Sequence, residues 1–378
     1  MTSDLSSLRD AFPILSRKTY LNSCSLGALS TRARRRLAEF LDLWDEMGAS
    51  AWYEHWLGTL EELRGRVGRF WGSLPSEVAL LPSTSAALSV FAESLPEDPR
   101  RNRVVCTELD FPTLAYQWAV KPNTELVILE SPDGIRIDLE QFEGAVDDRT
   151  LLIATSHVFF TTGFVQDVAA LARIAHRHGA FCLIDGYQGA GQIPLDLAGT
   201  EVDAYTAGPL KWLCGGPGLA YLYVREALIP RLEPRITSWF AARDQFSFGV
   251  RDFQFRDDAR RFEMGTPALP TVHTALGGQE ILDEVGMPFV VQRNRSLTEH
   301  LVSLCRRAGL ELALPDEGAR SAIVMVRHDD PAGAVAHLAR EGIVVDHRPG
   351  RVRISPHFYN TREEVERCVD ALQAYGSG

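Results

Sequence analysis

The chain has 378 residues, with 39 Lys+Arg against 50 Asp+Glu for a formal net charge of −11, and it is 45% hydrophobic and 24% charged. That balance excludes a disordered or collagen-like chain and leaves enough length for two domains with sizeable cores. The acid excess also argues against a nucleic-acid partner, because nonspecific affinity there depends on cationic side chains displacing counterions.

The opening MTSDLSSLRDAF lacks the basic and apolar regions of a signal peptide, and no apolar run approaches a bilayer span, so a cytoplasmic protein without membrane association is expected. An N-terminal arm over 1–18 leads into a large domain over 19–270. Strands are predicted there at Val78–Leu81, Arg103–Cys106, Leu126–Leu129, Leu151–Thr155, Ala180–Asp185, Ala204–Thr206 and Leu219–Val224, with helical stretches between most of them. That alternation is the pattern of a mainly parallel, seven-stranded α/β sheet covered by helices. Its clearest unit is DVAALARIAHRHG, an amphipathic helix with Asp167 at its start and Gly179 as its stop, running into the strand AFCLID.

From Thr237 to Pro270 the chain is rich in Phe, Arg and Asp without a period. This reads as an irregular segment over the site or at a subunit contact, where Trp239, Phe240, Phe246 and Phe248 are more simply interface packing than a substrate wall. A smaller C-terminal α/β domain over 271–378 is predicted from helices near Pro288–Ala308 and Pro331–Glu341, strands near Ala322–Val326, Ile343–Val345 and Val352–Ile354, and a final helix. Thr361 and Glu364 have the spacing of a capping box for that last helix.

Only three of the 39 basic residues are lysines, at Lys18, Lys121 and Lys211. A lysine retained in so arginine-rich a chain suits a task that Arg cannot perform, since only Lys loses its proton near neutrality and becomes a nucleophilic amine. Lys211 stands out, lying in AGPLKWLCGGPG between a strand and a glycine-rich turn. Pro82-Ser83-Thr84-Ser85 leads from a strand into an apolar helix, placing hydroxyls at free helix amides, which makes an anion site or a simple cap. Asp185 closes the strand AFCLID at its carboxyl end, where open α/β sheets bind ligands, and Gln188 follows. The six cysteines, Cys24, Cys106, Cys182, Cys214, Cys305 and Cys368, contain no C-x-x-C pair and read as buried thiols, so no metal site is expected.

A phosphate cradle, a carboxylate for a ring nitrogen and a lone amine are the parts that hold pyridoxal 5′-phosphate. In this light YLNSCSLGALS, Trp44, the pair Trp52 and Trp56, PSTSAAL, Phe111–Thr113, Ser156–Val158, LKWLCGGPG, FEMGTPALP and VRISPHFYNT, in that order, resemble the class V aminotransferase group of fold type I pyridoxal-phosphate enzymes. The similarity is closest to kynureninases and next to cysteine desulfurases. It implies that Thr84 and Ser85 bind the cofactor phosphate, Phe111 stacks on its ring, Asp185 pairs with the ring nitrogen and Gln188 contacts the phenolic oxygen. Lys211 would carry the cofactor and then act as acid/base at the substrate α-carbon. Arg353 would bind the substrate carboxylate, and Thr266 would reach the neighbouring site of a homodimer. His157, at a strand end, reads as a contact to cofactor or substrate, a proton relay, or a structural histidine.

The departures are specific. Kynureninases carry His at Gln188, Tyr at Leu210 and Asp at Leu114, and a desulfurase needs a mobile C-terminal Cys that neither Cys305 nor Cys368 supplies from an apparent helix. The sequence therefore points to an enzyme acting on an α-amino acid by Cα deprotonation, with kynureninase-like side-chain cleavage ahead of transamination to a 2-oxo acid. A noncatalytic partner protein on the same fold is the reading from another class. A nicotinamide oxidoreductase is disfavoured, because no G-x-G-x-x-G opens a helix.

Overall fold

A computed structural model of the chain describes residues 5–376. A short helix, α1 (Leu5–Asp10), and a two-residue strand, β1 (Thr19–Tyr20), lead into α2 (Thr31–Met47) and α3 (Leu57–Phe70), with a π-helical turn at Trp52–Trp56 between those two helices. Then follow β2 (Val78–Leu81), α4 (Thr84–Ala92), β3 (Arg103–Thr107), α5 (Pro112–Ala119), β4 (Glu125–Leu129), α6 (Leu139–Ala145), β5 (Thr150–Ser156), α7 (Val168–Arg177), β6 (Phe181–Asp185), α8 (Leu197–Thr200), β7 (Ala204–Ala207) and β8 (Ala220–Val224).

Strands β2 to β8 form one seven-stranded sheet in the order β2-β8-β7-β6-β5-β3-β4. All pairings are parallel except those of β8, which runs antiparallel to both neighbours. Successive side chains face opposite sides, so Ile153, Cys182 and Ile184 enter one apolar core and Leu152, Ala154 and Leu183 the other. A strand buried on both faces reads as a continuous apolar run, which is why AFCLID was visible in the sequence. Helix α7 starts where expected: Asp167 Oδ1 accepts the Ala170 amide at 2.8 Å, and Gly179 beyond its end has φ +67°.

The remainder comprises α9 (Leu269–Val285), α10 (Met287–Arg307), β9 (Val324–Arg327), α11 (Pro331–Arg340), β10 (Ile343–Val344), β11 (Asp346–Arg348), β12 (Arg351–Ile354) and α12 (Arg362–Gly376). Strands β11, β12 and β9 form a small antiparallel sheet. At the start of α12, Thr361 and Glu364 exchange amide hydrogen bonds at 2.9 and 3.3 Å, the expected capping box. The stretch from Thr237 to Ala268 is irregular, with short 3-10 turns at Trp239–Ala241, Gln245–Ser247 and Ala259–Phe262 and an isolated bridge between Ala242 and Phe255; the last two residues of the expected segment, Leu269 and Pro270, already belong to α9.

Two features differ from the sequence reading. Helix α9 was not anticipated, because it is buried nearly all round and shows no amphipathic stripe; a Cβ on its Gly277 would lie 2.5 Å from Ala33 Cα, so only glycine lets α2 approach this closely. It packs on α2 and α3, although the division at residue 270 assigns it to the smaller domain. Conversely β1, assigned to the large domain, pairs in parallel with β10, and Asn22 bridges to Ser355 beside β12. The N-terminal segment thus joins the C-terminal strands to the rest of the fold.

Candidate active site

Strands β3, β5, β6 and β7 all point the same way, and their carboxyl ends deliver residues to one cavity of about 290 Å³. Its lining includes Ser83, Thr84, Ser85, Phe111, Ser156, Phe160, Asp185, Tyr187, Gln188, Leu210 and Lys211. Five of the nine residues singled out from the sequence meet in the cavity wall beside Lys211: Thr84, Ser85, Phe111, Asp185 and Gln188.

Helix α4 begins at the cavity. The Ser83 hydroxyl accepts the Ala86 amide at 3.1 Å and so acts as the cap. The first-turn amides of Thr84 and Ser85 have no intrahelical partners by helix geometry, and the buried Thr84 Oγ1 has no hydrogen-bond partner among the described residues. An orphaned hydroxyl at a helix N-terminus fits an anionic oxygen.

Asp185 ends β6 and is buried; Oδ1 accepts the Tyr187 amide at 2.9 Å. Burial raises its pKa against the opposing pull of that amide and of Lys211. A ring cation beside the carboxylate would favour its ionised form. Lys211 lies in the turn after β7, with Nζ 4.7 Å from the Tyr187 ring centre. Burial lowers its pKa to about 8, with Cys24 and Asp185 opposing the shift and Arg353 and Arg348 adding to it. The lysine loop is held from outside: the Gly27 amide donates to Leu210 O at 2.8 Å, and a Cβ on Gly27 would lie 2.0 Å from Lys211 O.

Phe111 caps α5, is 47% exposed and meets Phe160 edge to face at 5.3 Å. Its neighbour Asp110 went unnoticed in the sequence. Asp110 is buried and accepts the Thr107 amide (2.8 Å), the Ser156 amide (2.7 Å) and the Thr155 hydroxyl (3.0 Å), which pins the ends of β3 and β5 together. Gln188 donates from Nε2 to Cys24 O at 2.9 Å and accepts the Trp212 indole N–H at 2.8 Å, leaving its second amide hydrogen for the cavity.

Three expected residues lie outside the cavity lining. His157 is buried beneath Gly189, with Nδ1 3.1 Å from the Tyr205 hydroxyl, and burial lowers its pKa to about 4. This is a neutral, buried position outside the cavity lining. Thr266 is exposed and does not line the cavity of its own chain. Arg353 is 1% exposed and already engaged by Asp346, Ser25 and Phe160 O. Tyr187, Phe160, Asp346 and Arg348 were also missed; the expected strand ended at Val345, so β11 and its two charged residues went unread.

The described residues contain no group of His, Cys, Asp or Glu arranged to hold a metal ion, and no helix long and apolar enough to cross a membrane. The family model for aminotransferase class-V matches residues 49–368. This chain is a member of the class V aminotransferase family. Members are pyridoxal-phosphate enzymes, and the orphaned Thr84 hydroxyl, the Asp185 oxygen and the partly deprotonated Lys211 suit that cofactor's phosphate, ring nitrogen and aldehyde. Among the family's relatives, an uncharacterized aminotransferase YcbU of Bacillus subtilis (strain 168) is 33% identical over 97% of this chain and 96% of its own length. A kynureninase of Bacillus mycoides (strain KBAB4) is 29% identical over 94% and 87%. Among solved structures, an apo cysteine desulfurase from Thermococcus onnurineus NA1 superposes with a TM-score of 0.89 at 21% identity, covering 99% of this chain and 98% of that one. A C-DES mutant with glycine covalently linked to its PLP cofactor gives the same TM-score and identity, over 98% and 99%. At that identity the likeness establishes the shared fold.

Proposed function

We propose that this class V enzyme acts on an α-amino acid, removing its α-proton and then cleaving the side chain in the manner of kynureninases. The observation that carries the reading is the Lys211 amine, poised over Tyr187 in a cavity also lined by Asp185 and Thr84–Ser85. When bound, the cofactor supplies a protonated ring that stabilises negative charge at the substrate α-carbon. Asp185 holds the ring nitrogen protonated with the oxygen not given to the Tyr187 amide. Thr84 and Ser85 take the phosphate, Phe111 covers the ring, and Gln188 gives its remaining amide hydrogen to the phenolic oxygen. With a pKa near 8, Lys211 is deprotonated in part at neutral pH and can take and return the proton at the α-carbon.

Leu210 lines the cavity beside Lys211 and offers no proton, and Leu114 is buried outside it. With Gln188, these departures favour a side chain other than that of kynurenine. Desulfuration is disfavoured by Cys305 and Cys368, both fully buried in α10 and α12. The six buried free thiols suit a reducing cytoplasm. Exposed Trp44, Tyr53, Trp239, Phe246 and Phe248 support a homodimer in which Thr266 reaches the partner's cavity.

Transamination is the second reading, favoured by the 33% identical relative named as an aminotransferase. The cofactor-loaded protein, beside Lys211→Ala, is to be given a panel of amino acids with and without a 2-oxo acid. Alanine released from substrate alone supports cleavage. Conversion of the 2-oxo acid to its amino acid, without such release, replaces cleavage by transamination. No product and no change in the near-visible spectrum overturns both and leaves the noncatalytic reading.

A further inference from the structure

Three successive carbonyls of the lysine loop each accept a hydrogen bond from a different part of the chain. Leu210 O takes the Gly27 amide at 2.8 Å from the N-terminal segment, and Lys211 O takes the Cys214 amide at 3.1 Å from within the loop. Trp212 O takes Nε2 of His357 at 3.0 Å, from the segment that follows β12. The loop needs such support. Cys214, three residues beyond Lys211, has φ +54°, a left-handed conformation that a non-glycine residue keeps only where its surroundings enforce it.

The bond to Trp212 also fixes the tautomer of His357. A carbonyl can only accept, so Nε2 carries the proton. In the neutral ring Nδ1 is then the acceptor, and Asn294 on α10 must present Nδ2, 3.2 Å away, rather than Oδ1 at 3.3 Å. Burial keeps the ring neutral by pushing its pKa down to about 3, against the opposing pull of Trp212 O. His357 is fully buried, and its edge-to-face contact with the Trp212 ring, 5.1 Å between centres, adds packing to the hydrogen bond. Trp212 is itself fully buried and outside the cavity lining, but its indole N–H donates to Gln188 Oε1 at 2.8 Å. Gln188 Nε2 donates to Cys24 O, so the amide oxygen is occupied and only an N–H remains for the cavity. A line of hydrogen bonds thus runs through Asn294, His357, Trp212 and Gln188, from α10 to the cavity wall.

We propose that His357 is a positioning residue for the cofactor site: by holding Trp212 from behind, it keeps the Lys211 loop in place and keeps Gln188 offering an N–H to the phenolic oxygen. This rests on the reading of Lys211 and Gln188 given above. Leucine at position 357 would fill the space but leave Trp212 O buried with only the weak Cys214 thiol, 3.8 Å away, as a donor. The loop then shifts, and the indole no longer pins Gln188.

The test follows the near-visible band of the cofactor-loaded protein as a function of pH. A donor on the phenolic oxygen draws negative charge away from the neighbouring Lys211 nitrogen and eases the loss of its proton, so weakening that donor raises the pH midpoint of the band. His357→Leu is expected to raise the midpoint by roughly 0.5 to 1 pH unit, and His357→Gln, whose amide can still donate to Trp212 O, to recover much of the change. Trp212→Phe keeps the aromatic packing and the backbone but loses the indole donor; it should move the midpoint in the same direction even if His357→Leu folds poorly. In a Gln188→Leu background neither substitution should move the midpoint further. An unmoved midpoint in His357→Leu or Trp212→Phe, a shift in His357→Gln as large as in His357→Leu, or shifts of the same size with Gln188→Leu present overturn the proposal and leave His357 a core residue. If the parent protein forms no such band with pyridoxal phosphate, the cofactor reading fails first and takes this inference with it.

Discussion

Lys211 offers a direct reading of what burial does to a side chain. With its pKa lowered to about 8 from the ordinary 10.5, the neutral amine is about a tenth of the population at pH 7 and half at pH 8. Reductive methylation of the cofactor-free protein, followed at Lys211 by mass spectrometry, should therefore speed up about tenfold per pH unit up to pH 8 and then level off. An inflection near 10.5 would mean that the amine is solvated and unprepared. Lys211 was legible because lysine is rare in this chain, and Asp185 because it ends a strand of unmistakable pattern. Asp346 was not, because its meaning lies in Arg353 across a hairpin and in Ser25 more than three hundred residues away. A charged residue in a polar stretch looks solvated until its partner is known.

The elements that frame the cavity are tied by buried carboxylates. Asp110 joins the ends of β3 and β5, and burial raises its pKa to about 6 from 3.8, outweighing the hydrogen bonds that lower it. Between pH 4 and pH 6 the folded state keeps this proton while the unfolded state releases it, so this group makes stability fall as pH rises, by roughly 3 kcal/mol across the window. Urea unfolding of Asp110→Asn should lose that component, and an unchanged pH profile would remove Asp110 from the account. Glu263 accepts both Arg64 at 2.6 Å and the Leu80 amide at 2.9 Å, tying α3 and β2 to the segment that carries Thr266. Breaking one side of so buried a pair is expensive: Glu263→Ala should cost about 3–5 kcal/mol, and Arg64→Met combined with Glu263→Met should recover much of it. Urea midpoints of the single and double variants decide this. The seven strands were legible because burial on both faces writes continuous apolar runs, and α9 was illegible for the same reason, since a helix buried all round has no polar stripe to reveal its period.

At the scale of the whole molecule, the exposed aromatics and the distant Thr266 predict a site completed by a second copy. Neither Lys211→Ala nor Thr266→Ala homodimers should be fully active, but subunits exchanged between the two variants should regain turnover, because one of the two sites then receives both intact residues. Absence of any recovery in a verified mixed dimer would separate Thr266 from the partner's cavity. The domain division was the least legible feature of the sequence, because β1 and β10 are two-residue strands whose pairing no local pattern announces. That pairing also has a consequence for how the protein is made. The segment that presses Gly27 onto the lysine loop is anchored through β1, and its partner β10 is translated over three hundred residues later. A nascent chain can therefore complete its large sheet while still on the ribosome with the lysine loop unlatched. Until β10 emerges, the segment that carries Gly27 to that loop lacks its strand partner.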